Sequence, residues 1–229
     1  MAIKADHSGH RARMKRRFLE NGVDNFHPHE VLEMLLYYAV PMKDTNDLAI
    51  RLITHFGSFS AVLDAPIDLL MEFGLTENQA TYLKLLPQAC RLYLDDMSNS
   101  PQKIITKEHI APYLINKFVG RTEECVLLLL MDRKCKELFC GVISSGSFDT
   151  SELSVRKIID LSLRYGAVYA ILAHNHPDGV ALPSNADISA TRNIAAALHL
   201  IRVKLVDHYV IADNDCVSMR DSDIRFLSS

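Results

Sequence analysis

A chain of 229 residues with 48% hydrophobic side chains has material for one or two cored globular domains, and no apolar run approaches the length of a membrane span. A net charge of -3 gives no global attraction to nucleic acid, so any such binding must rest on a local patch. Five cysteines, odd in number and never spaced C-x-x-C, exclude a disulfide framework and a cysteine zinc site; with no apolar leader core in Met1–His7, they predict a cytoplasmic protein with buried, reduced thiols.

The first hundred residues read as helices. A basic segment, Gly9 to Phe18, carries Arg11, Arg13, Lys15, Arg16 and Arg17 and stops at Gly22. It is the one local patch able to meet phosphates, within a half that holds ten basic against thirteen acidic side chains. Helices come next at Glu30–Val40, stopped by Pro41, at Asn46–Phe56, stopped by Gly57, then at Ser58–Leu63 and Ile67–Phe73. The spacing of Val31, Leu35 and Tyr38, and of Leu48, Leu52, Ile53 and Phe56, predicts an all-α bundle, with Met34 and Met71 as core filler. Another helix starts at Glu77. The polar stretch Asp95–Pro101 predicts the domain boundary, giving an all-α domain over 1–96, a linker over 97–104 and an α/β domain over 105–229.

In the second half a short helix, Thr106–Phe118, precedes the apolar run Glu124–Asp132, a central strand by composition. Asp132-Arg133-Lys134 turns into a second strand, Glu137–Ile143. An amphipathic helix, Glu152–Tyr165, with Val155, Ile158, Ile159 and Leu163 on its stripe, leads to a third strand, Ala167–Ala173. After a further helix come Val203–Val206, Tyr209–Ala212, a turn at Asp213–Asp215 and Cys216–Met219. Strands alternating with helices predict a mixed sheet with helices packed against it.

The third strand runs directly into His174-Asn175-His176-Pro177-Asp178-Gly179-Val180-Ala181-Leu182-Pro183-Ser184-Asn185-Ala186-Asp187. Residues two apart on an extended chain point the same way, so both imidazoles reach one ion while Asn175 faces elsewhere. The prolines and Gly179 force a loop that delivers Asp187 to the first turn of a helix, whose apolar stripe is Ile188, Ile194, Ala195, Leu198 and Ile201. Two imidazoles and one carboxylate leave a fourth tetrahedral position open, as in a catalytic rather than a structural zinc site. Ser184-x-x-Asp187 also has the form of a capping box. Asp178 reads as a turn residue rather than a ligand for a second ion. H-E-x-x-H and the deaminase pair of H-x-E with P-C-x-x-C are absent, and Ser154-x-x-Lys157 lies within a helix without companion motifs.

H-x-H, seven residues, then S-x-x-D resembles the signature of the JAMM/MPN+ metalloproteases, and A-H-N-H-P with P-S-x-x-D resembles the RadC family within that group. The likeness covers nearly the whole chain, most strongly residues 124–212. The string Phe56-Gly57-Ser58-Phe59 through Phe73-Gly74-Leu75-Thr76 is similar to the helix-hairpin-helix module that precedes the RadC catalytic domain, with Thr76 at the position of its second glycine. The resemblance implies Zn2+ on His174, His176 and Asp187. It implies a general base at Glu124, eight residues before Asp132, with Glu123 and Glu137 ranked behind it, and an oxyanion-stabilising hydroxyl at Ser184. It implies a peptide or isopeptide substrate; the alternative is a DNA repair or recombination accessory protein that binds nucleic acid weakly through Arg11–Arg17. Asp207-His208 matches a D-H pair of RadC-like chains that has no ligand role, so His208 is expected to be structural. Ser145-Gly146 and Leu153–Arg156 depart from the family's Arg-Gly and H-P-R-E, outside the ligand set.

Overall fold

A computed structural model of the protein describes residues 7–41, 44–98, 105–146, 152–177 and 179–224. The chain divides into two compact units at Ala89/Cys90. Among the described residues no helix is long and apolar enough to cross a membrane.

The first unit holds α1 (His7–Asn21), α2 (Pro28–Ala39), α3 (Asn46–Phe56), α4 (Phe59–Asp64), α5 (Ile67–Glu72) and the start of α6 (Glu77–Ser98). Its core is aliphatic: Leu32, Leu36, Leu52, Val62, Leu70 and Leu83 are fully buried. Between α5 and α6, Gly74 takes φ +107, which an L side chain rarely adopts. Thr76 caps α6 instead of opening a backbone cradle: its Oγ1 accepts from Gln79 N at 3.4 Å and its own amide donates to Gln79 Oε1 at 2.9 Å.

Two expectations from the sequence are corrected by the fold of this unit. The buried face of α2 is Leu32, Glu33, Leu36 and Tyr37 rather than Val31, Leu35 and Tyr38, and Tyr38 is 71% exposed. The face turned because Glu33 is a satisfied buried acid, accepting from Tyr37 Oη at 2.6 Å and Asn46 Nδ2 at 2.8 Å and lying 2.9 Å from His10 Nε2. Met71 is exposed, since the short α5 buries Leu70 alone. The stretch expected to start the linker is helical as far as Ser98, with Asp95 paired to Lys117 at 2.8 Å; residues 99–104 lie outside the described ones.

The second unit carries α7 (Lys107–Phe118), β1 (Cys125–Met131), β2 (Glu137–Ser145), α8 (Glu152–Arg164), β3 (Tyr169–Asn175), α9 (Asn185–Leu200), β4 (Lys204–Ala212) and β5 (Asp215–Ser218). The five strands form one mixed sheet in the order β2-β1-β3-β4-β5, parallel only between β3 and β4. Every residue of β1 is buried, as its unbroken apolar run requires. Leu127, Leu129, Met131, Ile171 and Tyr209 pack on one face with Ile110, Tyr113 and Leu114 of α7. Leu128, Leu130, Ala170, Leu172 and Leu205 pack on the other with Ile158 of α8 and Ile194, Ala195 and Leu198 of α9. Leu163, expected on the α8 stripe, is 59% exposed; α8 meets the sheet through Ile158, with Val155 and Leu161 beside it.

The sequence breaks the fourth strand at Asp207-His208, but β4 runs through both. Its register on β3 slips by one residue, pairing Leu205 with Ala170 and Asp207 with Ile171. Val206 is the extra residue, a bulge that inverts the facing of the remainder of the strand, so that His208 falls on the α9 side of the sheet. The five cysteines are free, yet only Cys125 is buried; Cys90 is exposed and the others are half-buried. Burial pushes the Cys140 and Cys216 thiols up to about 11, which keeps both protonated at neutral pH.

Candidate metal centre

His174 is the penultimate residue of β3, opposite Val126 of β1 and Val210 of β4. One step past the strand, His176 stays tied to the sheet by its amide, which donates to Ile211 O at 2.8 Å. Its ring is held from outside: Nδ1 lies 3.0 Å from the carbonyl of Val180, which can only accept, so Nδ1 carries the proton and Nε2 offers a lone pair. Gly179 makes room for that turn, because a Cβ there would sit 3.2 Å from the His176 Cβ. Asp178, between them, lies outside the described residues.

Asp187 arrives from the other side, as the third residue of α9. Ser184 is the N-cap: its Oγ accepts from Asp187 N at 3.1 Å and donates to Asp187 Oδ2 at 2.6 Å, while Ser184 N donates to the same oxygen at 2.7 Å. The capping box is therefore present, and it orients the carboxylate. Burial raises the Asp187 pKa, but the neighbouring His174 ring and the hydrogen bonds from Ser184 outweigh it, holding the acid well below the ordinary carboxylate range.

The three side chains converge. His174 Nε2 lies 3.0 Å from His176 Nε2 and 3.5 Å from Asp187 Oδ1, and His176 Nε2 lies 3.8 Å from Asp187 Oδ2. One ligand atom from each falls within 4.8 Å of the others. Ligands about 2.1 Å from a tetrahedral ion stand about 3.4 Å apart, and the three side chains approach one another at about that spacing, His174 through Asp187 Oδ1 and His176 through Oδ2. This donor set, two imidazoles and a carboxylate, suits a borderline ion such as Zn2+. His174 and Asp187 are 2% and 4% exposed, whereas the His176 side chain is 21% exposed, so access is from the His176 side.

A second layer backs His174. His208, fully buried, places Nε2 2.8 Å from His174 Nδ1, and its Nδ1 lies 2.6 Å from Thr191 Oγ1. Burial, reinforced by His174, pushes its pKa well down, so the ring is neutral. Thr191 was not singled out in the sequence. The available signal was its i+4 spacing from Asp187, which puts both on one helix face.

Asn175 does more than face elsewhere. Its Oδ1 accepts from Cys125 N at 2.8 Å, and its Nδ2 donates to Glu123 O at 3.1 Å and Arg121 O at 3.4 Å. The residue between the two histidines thus clamps the backbone on either side of Glu124, whose own carbonyl accepts from Gly146 N at 2.8 Å. Glu124 is exposed, one residue before β1. By strand alternation it shares the face of Val126 and His174. Glu123 alternates to the other face, and Glu137, bonded to Tyr113 Oη at 2.7 Å, pairs with Met131 at the far end of β1. A cavity of about 640 Å³ floored by Met131, Tyr169 and Ile171 opens on the α7 face, away from the converging ligands.

The basic segment is partly spent on structure. Arg17 donates to both Glu30 oxygens, at 2.7 and 3.1 Å, and to Asn25 O; Arg11 donates to Val40 O at 3.1 Å and stacks over Tyr37. Arg13, Lys15 and Arg16 lie on the surface.

Residues 104–224 match the family described as the RadC-like JAB domain. A UPF0758 protein of Fusobacterium nucleatum is 33% identical over 227 residues, which span 96% of this chain and 98% of that protein. A match over more than half the chain and a relative similar from end to end agree with the strand, loop and helix that carry the site: the chain belongs to the RadC-like JAB domain family.

Proposed function

We propose that the protein is a zinc-dependent metallohydrolase that cleaves an amide, peptide or isopeptide. The observation that carries the reading is the convergence of His174 Nε2, His176 Nε2 and the Asp187 carboxylate within 4.8 Å of one another, with His176 on the exposed side. A zinc ion bound there supplies Lewis acidity to a carbonyl oxygen and makes a nucleophilic water at neutral pH. Glu124, on the same strand face as His174, takes the proton from the attacking water and returns it to the leaving nitrogen. The Ser184 hydroxyl, which donates to Asp187 Oδ2 at 2.6 Å, redirects toward the oxyanion as charge develops there. The one such group among the described residues favours an amide over a phosphodiester, whose hydrolysis typically uses two metals about 4 Å apart.

The test has two arms. Purified protein is expected to hold one zinc per chain, lost in His174→Ala and Asp187→Ala. Glu124→Gln is expected to keep the zinc and abolish cleavage of peptide-library or isopeptide-linked substrates. Protein without zinc, or Glu124-dependent cleavage of DNA and of no amide, ends the reading. Nucleic-acid binding through the first unit is proposed as weak: with Arg11 and Arg17 engaged, three surface cations imply a log-affinity against log-salt slope of about -3 or shallower. A nanomolar, sequence-specific complex at physiological salt refutes that.

A further inference from the structure

We infer that Thr191 and His208 are positioning residues that set the tautomer of His174, turning its Nε2 lone pair toward the metal site, and that the main-chain carbonyl of Asp187 dictates the direction of the whole relay. The inference rests on the proposed metal reading for its purpose, but not for its hydrogen-bond logic.

The relay begins at a group with no choice. The Asp187 carbonyl can only accept, and Thr191 Oγ1 lies 2.6 Å from it, so the single hydroxyl proton of Thr191 points there. Thr191 Oγ1 must then accept from its other neighbour, His208 Nδ1, at 2.6 Å. His208 is fully buried, and with its one ring proton on Nδ1 it has a bare Nε2. That Nε2 accepts from His174 Nδ1 at 2.8 Å, so His174 carries its proton on Nδ1 and its Nε2 is unprotonated. The reverse direction needs the Thr191 proton on His208 and leaves two oxygens 2.6 Å apart with no proton between them.

The relay closes on one residue. Asp187 faces the site with its carboxylate and anchors the relay with its carbonyl, through His174, His208 and Thr191 in turn. Thr191 and His208 have no exposed surface and His174 is 2% exposed, so water cannot substitute for a missing partner. His176 reaches the same state independently, through Val180 O. Both imidazoles are thus ready as ligands before any ion arrives. Histidine ligands commonly lean on a carbonyl or carboxylate; here His174 leans on a second imidazole whose polarity a helix carbonyl imposes.

The experiment uses the full chain labelled with 15N-histidine, stripped of metal and held at mildly alkaline pH. Long-range 1H–15N spectra are expected to show the Nδ1–H form for His174, His176 and His208, although a free neutral ring favours Nε2–H. The Nε2–H form at His174 or His208 overturns the inference. In Thr191→Val, which keeps the shape and removes the hydroxyl, both rings are expected to revert to Nε2–H, and chelator competition is expected to show zinc affinity about 10–100-fold weaker, with Thr191→Ser restoring it. Affinity in Thr191→Val within twofold of the parent overturns the positioning role. If the parent binds no zinc, the metal reading fails, while the tautomers of the metal-free protein still decide the relay.

Discussion

Replacing Asn175 by Ala removes the clamp between the two histidines without touching either imidazole. The Cys125 amide, in a residue 3% exposed, loses a 2.8 Å bond and is left buried without that partner, a cost of about 1–3 kcal/mol. The carbonyls of Glu123 and Arg121 lose longer bonds, 3.1 and 3.4 Å, near the surface, adding up to about 1 kcal/mol. The second unit is therefore expected to lose about 1–4 kcal/mol in urea unfolding, with loss of protection at the Cys125 amide by hydrogen exchange. Zinc stoichiometry is expected to hold while turnover falls through kcat, because the freed backbone carries Glu124. Asn175→Asp sharpens the test. It keeps the acceptor but sets a carboxylate against two carbonyl oxygens, which raises the folded-state pKa above the unfolded one. Stability contributed by the protonated acid is then present at low pH and lost as pH rises through the folded pKa, so this variant approaches the parent on acidification. A loss under about 0.5 kcal/mol in Asn175→Ala, or unchanged Cys125 protection, refutes the clamp.

Other consequences are as direct. Glu30, its pKa lowered to about 2 chiefly by the hydrogen bond from Arg17, contributes stability that is present above its ordinary value of 4.5 and lost as pH falls from there toward 2. The stability gap between the parent and Arg17→Gln is expected to be constant above that window and to close within it, as tracked by urea titrations across pH. Leu172→Ala, at a fully buried position two residues before His174, is expected to cost about 3–5 kcal/mol by denaturant unfolding, the range for a core leucine whose surroundings do not collapse. Free zinc at 100 times its dissociation constant is expected to add about 2.7 kcal/mol to the second unit, seen as a rise in Tm that Asp187→Asn abolishes.

Local chemistry is what the sequence by itself determined. Asn46–Phe56 was readable to the residue because Gly57 ends it, and β1 because only a strand buried on both faces tolerates Cys125–Met131. The convergence of His174, His176 and Asp187 was readable because H-x-H after a strand and S-x-x-D before a helix are short-range geometry: alternation aims the two rings, and the capping box aims the acid. Tertiary structure decided which faces meet. Helical periodicity allows a stripe through Val31, Leu35 and Tyr38 as readily as one through Leu32 and Leu36, and the contact with Asn46 and His10 that buries Glu33 comes from outside α2. The same holds behind the candidate metal site. Whether His208 faces α9 or α7 depends on one extra residue at Val206, a matter of register between β3 and β4 that no local pattern records. A slip of one residue turns the rest of a strand over, and here it sets His208 beneath His174.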